Sequence, residues 1–194
     1  SPSILNFDFT CIGSGGYMSG HTWLDTYISS YKAIYNTNPP VDYWAIDVYP
    51  IIWDAGQLPT VRSDIVIDQM TAYRAYLDAM PSEGGKPIVM TEFGLHWGFD
   101  EITFDGSTCS GAYPQGTYQA ESVKTYLREV FNWLEANAFS SQIDSWYLFS
   151  TYRDLTACNS DQGFGLTLFD SISPNANLSS IGQFYYDWIR GKRN

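Results

Sequence analysis

The chain has 194 residues, 44% of them hydrophobic and 17% aromatic, which suits one domain over residues 1–194 with a packed core and argues against a disordered chain. A formal net charge of -11 gives a surface that repels phosphate backbones, so nucleic acid is not an expected partner. No apolar run is long enough to span a bilayer, and two His with three widely spaced Cys give no metal-ligand pattern, so neither a membrane nor a metal or cofactor is expected.

Taken in order, the chain repeats one cycle. ILNFDF (4–9) reads as a short strand, and the glycine-rich GSGGYMSG follows it. Residues 23–35 carry a helical pattern, with Trp23, Tyr27 and Tyr31 on one stripe and Leu24 and Ile28 beside it, closed by Asn38-Pro39-Pro40. VDYWAIDVYP (41–50) reads as a buried strand, and the helix over 63–79 repeats Val66, Met70, Tyr73 and Leu77. Gly84-Gly85 breaks that helix before the third strand, KPIVMTEFG (86–94). A long loop leads to a helix over 117–138 with Val123, Tyr126, Leu127, Val130, Phe131 and Leu134 inward. IDSWYLFSTY (143–152) is the fourth strand. After a second long loop, the last helix at 179–190 shows Ile181, Phe184, Tyr185, Trp188 and Ile189.

Strand, loop and helix repeated four times predict parallel strands joined by right-handed crossovers. An open doubly wound sheet and part of a (β/α)8 barrel both answer to that description. The open sheet usually carries a glycine-rich phosphate turn, which GSGGYMSG does not spell. Loops after the strands are long and rich in Gly, aromatic and acidic residues, whereas the returns NTNPP, PSEGG and FSSQ are short. That asymmetry is how a barrel builds its working face at the C-terminal strand ends, so the expected fold is α/β of the (β/α)8 TIM-barrel type, a half-barrel of four βα units.

The strand ends bring together the residues that carry chemistry. Asn6 and Asp8 end the first strand, Asp47 and Tyr49 the second, and Glu92 the third, with His96 and Trp97 just beyond. Trp146, Tyr147, Tyr152 and the Arg153-Asp154 pair belong to the fourth. Aromatic faces, hydroxyl-binding polar groups and a carboxylate form an inventory suited to a sugar. Cys109 and Cys158 fall in loops on the same rim, where a disulfide would stiffen both and leave Cys11 over; three free thiols are the other reading. Asn177-Leu178-Ser179 is a glycosylation sequon, relevant only in a eukaryotic source.

DYWAIDVYP, then KPIVMTEFG, then SWYLFSTYRD resemble strands six, seven and eight of the clan A glycoside hydrolases. The resemblance implies a (β/α)8 barrel that cleaves glycosidic bonds with retention and uses no cofactor. It implies that Glu92, in Thr-Glu-Phe-Gly, is the nucleophile and that Tyr49 hydrogen-bonds it. An aromatic of the last strand would floor the cleaved bond, with Trp146, Tyr147 and Tyr152 as rivals. Asp47, Asp8, His96 and Trp97 would contact substrate. The clan's acid/base ends strand four, and no Asn-Glu-Pro or similar stretch occurs in this sequence. The chain is therefore expected to be the C-terminal half of such an enzyme, completed by a homodimer partner or a complementary N-terminal half. A start at Ser1 without Met fits an absent upstream part, and a secreted or extracellular setting is expected. The alternative is a carbohydrate-binding or assembly half-barrel without catalysis.

Overall fold

A computed structural model describes residues 20–50, 61–95, 120–149, 166, 168–169 and 173–192. Its elements run α1 (Gly20–Tyr35), β1 (Trp44–Val48), α2 (Ser63–Asp78), β2 (Ile88–Phe93), α3 (Ala120–Asn137), β3 (Ile143–Leu148) and α4 (Ser180–Ile189). The expected strand at 4–9 lies outside the described residues, as do all three cysteines. Contacts divide the chain into two compact units. One holds α1, β1, α2 from Asp64, β2 to Glu92, β3 to Tyr147 and the last turn of α3. The other holds the rest of α3, α4 and the residues from Tyr49, Phe93 and Leu148 onward.

In the first unit the three strands pair in the order β1-β2-β3. Trp44 N–H donates to Pro87 O at 3.0 Å, and further along the Thr91 hydroxyl reaches Ile46 O, so β1 and β2 ascend together. Ile88 N–H donates to Gln142 O at 2.8 Å, which sets β3 beside β2. All three strands are parallel, and their spatial order follows their sequence order. An open doubly wound sheet reverses direction at a switch point, and no reversal occurs among the described strands. Helices alternating with parallel strands in sequential order make this an α/β fold of the TIM-barrel type.

The strands are shorter than the hydrophobic runs that announce them. Pro87 has no N–H, so the chain before Ile88 offers the ladder only a carbonyl, and Lys86 N–H turns back to Glu83 O. Val41 N–H likewise turns back to Pro39 O, which delays β1 until Trp44. Helix α1 ends at Tyr35, the last residue of the predicted pattern and just ahead of Asn38-Pro39-Pro40. Asn36 takes φ 56, the left-handed conformation that Asn tolerates, and its N–H donates to Lys32 O.

Core formation follows the helical period. Val66, Met70, Tyr73 and Leu77 of α2 are buried, as are Val123, Tyr126, Leu127, Val130, Phe131 and Leu134 of α3. In α1 the buried residues are Gly20, Leu24 and Ile28, while Trp23 and Tyr27 stay open to solvent and stack on each other at 5.5 Å. In the second unit the Phe131 ring meets Tyr185 at 5.9 Å and Trp188 at 5.5 Å, and the Arg128 guanidinium lies 5.2 Å from the Phe184 ring. Ser179 caps α4, its hydroxyl accepting from Gly182 N–H at 3.0 Å, so the sequon's serine is engaged as a cap. Ile189, among the apolar residues of the predicted last helix, is 62% exposed, at the last helical position.

Candidate active site

The hydrogen bonds fix the lateral register of the sheet. Trp44, Ile88 and Ile143 stand level, and all three are buried. Three residues on, the same register sets Asp47, Thr91 and Trp146 in one row, and one further on Val48, Glu92 and Tyr147. The Thr91 hydroxyl donates to Asp47 Oδ1 at 2.7 Å, an independent sign that the β1–β2 register is right.

Burial along the strands identifies the open side. In β1, Trp44, Ile46 and Val48 are buried, whereas Ala45 and Asp47 are exposed, the alternation of a strand covered on one face. In β2, Ile88 and Met90 are buried, Thr91 is exposed, Glu92 is half-buried and Phe93 is buried. Thr91 and Glu92 put two successive polar side chains at the C-terminal end of the middle strand, on its opposite faces. In β3, Trp146 is half-buried and Tyr147 is 57% exposed. Glu92, Asp47, Thr91, Trp146 and Tyr147 thus share the C-terminal ends of three neighbouring strands.

Beside the outer edge of β1 lies a groove of about 290 Å³ lined by Trp23, Leu24, Trp44, Tyr73, Asp47 and Thr91 among others. Tyr73 is buried there. Burial pushes its phenol pKa well above the ordinary value, against a small opposing pull from Arg74, and its hydroxyl donates to Ala45 O at 3.4 Å. Among the described residues no group of three His, Cys, Asp or Glu could hold a metal ion.

Tyr49 belongs to the second unit, where its ring meets Phe149 edge-on at 6.2 Å. It also borders Gly94: a Cβ there would lie 3.5 Å from Tyr49 Cε1 and 3.3 Å from Phe149 O. Asp8, His96, Trp97, Tyr152 and the Arg153-Asp154 pair lie outside the described residues.

At the opposite ends of the strands the structure reveals a polar cluster that no sequence pattern announces. Glu83, in the return PSEGG, is only 1% exposed and accepts from Trp44 Nε1 at 3.1 Å, Lys86 Nζ at 2.7 Å, Ser82 Oγ at 2.8 Å and Asn38 Nδ2 at 3.1 Å. Burial opposes ionisation of this carboxyl. The bonds from Lys86, Ser82 and Trp44, with the Lys86 charge, outweigh it and hold the pKa below the ordinary 4.5. Nearby, the buried Arg74 donates to Lys86 O at 2.7 Å and Gln142 Oε1 at 3.1 Å, and pairs with Asp78 at 2.8 Å. Apart from Asp78, which is an i,i+4 neighbour of Arg74 on α2, the partners are far away in sequence or lie in the return itself; the other local cue is a Glu between helix and strand near a Lys.

No curated protein matches the chain. Two solved Ruminococcus gnavus beta-glucuronidase structures are similar to it in part. The first has a TM-score of 0.40 and 15% identity over 77% of this chain and 22% of that one. The second has a TM-score of 0.40 and 12% identity over 87% of this chain and 29% of that one. The chain thus spans less than a third of either. The family model described as "Glycosyl hydrolase catalytic core" matches residues 6–185. That match takes in all three described strands, the row of side chains at their ends and the Glu92 stretch, and the chain belongs to the glycosyl hydrolase catalytic core family.

Proposed function

We propose that the chain is the nucleophile-bearing part of a retaining glycoside hydrolase acting on a poly- or oligosaccharide, with Glu92 as the nucleophile. The observation that carries this is the position of Glu92. It stands half-buried at the C-terminal end of the middle parallel strand, one row beyond Asp47, Thr91 and Trp146. Barrel enzymes build their sites at that end of the sheet.

In the proposed reaction a Glu92 oxygen attacks the anomeric carbon as the bond to the leaving oxygen breaks. The leaving oxygen takes a proton from a general acid, and a covalent glycosyl ester remains on Glu92. The same acid, now a base, removes a proton from water, whose oxygen displaces Glu92 and releases the sugar. Two carboxyls about 5–5.5 Å apart perform this double displacement. Glu92 supplies one. The second comes from a complementary N-terminal half or a partner chain, a homodimer being the simplest assembly. Asp47 and Trp146, in the row before the nucleophile, are proposed to bind sugar at the rim of the sheet, one through its carboxylate and one through its ring face, with Tyr49, Asp8, His96, Trp97 and Tyr152 as further contacts.

The test compares wild type with Glu92→Gln on β-linked aryl glycosides and soluble polysaccharides, alone and with the complementary half. Turnover abolished by the substitution is the expected result. Turnover that survives it refutes the assignment, and sugar binding without turnover in every combination turns the reading to a carbohydrate-binding module.

A further inference from the structure

The two residues that follow Glu92 are held more tightly than a loop entry requires. Phe93 O accepts from Phe149 N–H at 2.9 Å, and the buried Phe93 ring meets Phe131 of α3 edge-on at 6.0 Å. Gly94 O accepts from the Tyr126 hydroxyl at 3.2 Å, and Tyr126 is itself fully buried on α3. The space at Gly94 is close: a Cβ there would stand 3.3 Å from Phe149 O, tighter than ordinary contact, and 3.4 Å from Leu166 Cδ1 and 3.5 Å from Tyr49 Cε1. Leu95 is buried as well. A phenol inserted into a core usually spends its hydroxyl on a nearby polar group, and this one spends it on the carbonyl two residues past the proposed nucleophile.

We infer that Tyr126 is a positioning residue for Glu92, fixing the backbone after the nucleophile through its hydrogen bond to Gly94 O. The inference rests on the assignment of Glu92 as nucleophile. With the carbonyls of Phe93 and Gly94 both bonded, the main chain that leaves Glu92 has one path. The carboxylate then reaches the anomeric carbon by side-chain rotation alone. Loss of the Tyr126 hydroxyl frees the Gly94 peptide and spreads the attacking oxygen over more positions. A misplacement of about an ångström is enough to slow attack on the order of a hundredfold. The cost falls on the chemical step rather than on sugar affinity.

Activated dinitrophenyl fluoroglycosides test this without a general acid, because dinitrophenolate leaves unprotonated as Glu92 forms the glycosyl ester. A panel of gluco, galacto, manno, xylo and glucuronide probes is applied to the full chain. The labelled residue is read by peptide mass, and the rate and affinity of labelling are separated by varying probe concentration. Wild type is expected to label at Glu92. Tyr126→Phe is expected to label there with a maximal rate lower by roughly tenfold or more and an unchanged half-saturating concentration. Gly94→Ala strains the same anchor from its other partner and is expected to behave alike. Val130→Ala, a core truncation on the same helix, lowers the melting temperature and leaves the maximal rate of the folded protein unchanged. Tyr126→Phe labelling at a maximal rate within twofold of wild type overturns the inference and leaves the nucleophile standing. Wild type that labels elsewhere, or with no probe of the panel, overturns both.

Discussion

Replacing Glu83 by Ala removes the acceptor on which the N-terminal ends of β1 and β2 converge. Four donors lose a partner: the Trp44 indole, the Lys86 ammonium, the Ser82 hydroxyl and the Asn38 amide. Trp44 is buried, so its N–H meets no water and bears most of the desolvation penalty, about 1–3 kcal/mol. Lys86 keeps some exposure and recovers hydration, so the ion pair counts for less than the roughly 3–5 kcal/mol of a fully buried one. Together the loss is about 3 kcal/mol, which in a domain of this size lowers the melting temperature by roughly 6–12 °C. Glu83→Gln keeps an acceptor oxygen for Trp44 but loses the charge and turns the oxygen that accepts from Ser82 and Asn38 into a donor, at about 1–2 kcal/mol. The pH dependence has a definite sign. The folded carboxyl titrates below the ordinary 4.5, so its contribution is complete above that value and is lost as pH falls toward the folded pKa. Melting curves of wild type and both variants, taken between neutral pH and the acid limb, measure all of this. An Ala variant that melts within about 2 °C of wild type at neutral pH refutes the account of Glu83 as the clamp of the strand starts.

Gly182→Ala places a methyl against the Leu168 carbonyl, a backbone atom that no rotamer change can move aside, and is expected to cost about 1–3 kcal/mol or more in urea unfolding. Asp47→Asn keeps an oxygen for the Thr91 hydroxyl on an exposed position, so stability changes by less than about 0.5 kcal/mol. If the C-terminal strand ends bind sugar, the same substitution weakens binding of the preferred oligosaccharide by roughly tenfold, read by titration calorimetry.

The order of elements and the core stripes of α2 and α3 are legible in the sequence because period alone decides them. The stripe Val66, Met70, Tyr73 and Leu77 leaves one face for the core, and the structure buries all four. Helix α1 has apolar residues on more than one side, so period cannot choose between the Trp23 and Leu24 stripes. Packing buries Leu24 and leaves Trp23 45% exposed. Strand ends are read too long because hydrophobicity continues where hydrogen-bonding partners do not, as at Pro87. Thr91-Glu92-Phe93-Gly94 is legible as a strand end. How far Thr91 and Glu92 are covered is not, since burial depends on neighbours that are distant in sequence.

Two glutamates stand near the two ends of β2, Glu83 in the turn before it and Glu92 at its next-to-last residue, and their surroundings differ. Glu83 is sealed among four donors that satisfy its oxygens and anchor the strand starts; a group so fully occupied has no capacity left for a substrate. Glu92 is half-buried at the other end, in a row with the exposed Tyr147 and one row beyond the Asp47–Thr91 pair. The main chain beside Glu92 is held by bonds of its own: the ladder before it and the Phe93 and Gly94 carbonyls after it. Separating support from chemistry along one strand lets the N-terminal ends be packed for stability while the C-terminal ends keep polar atoms open, the division of labour on which a barrel's working face depends.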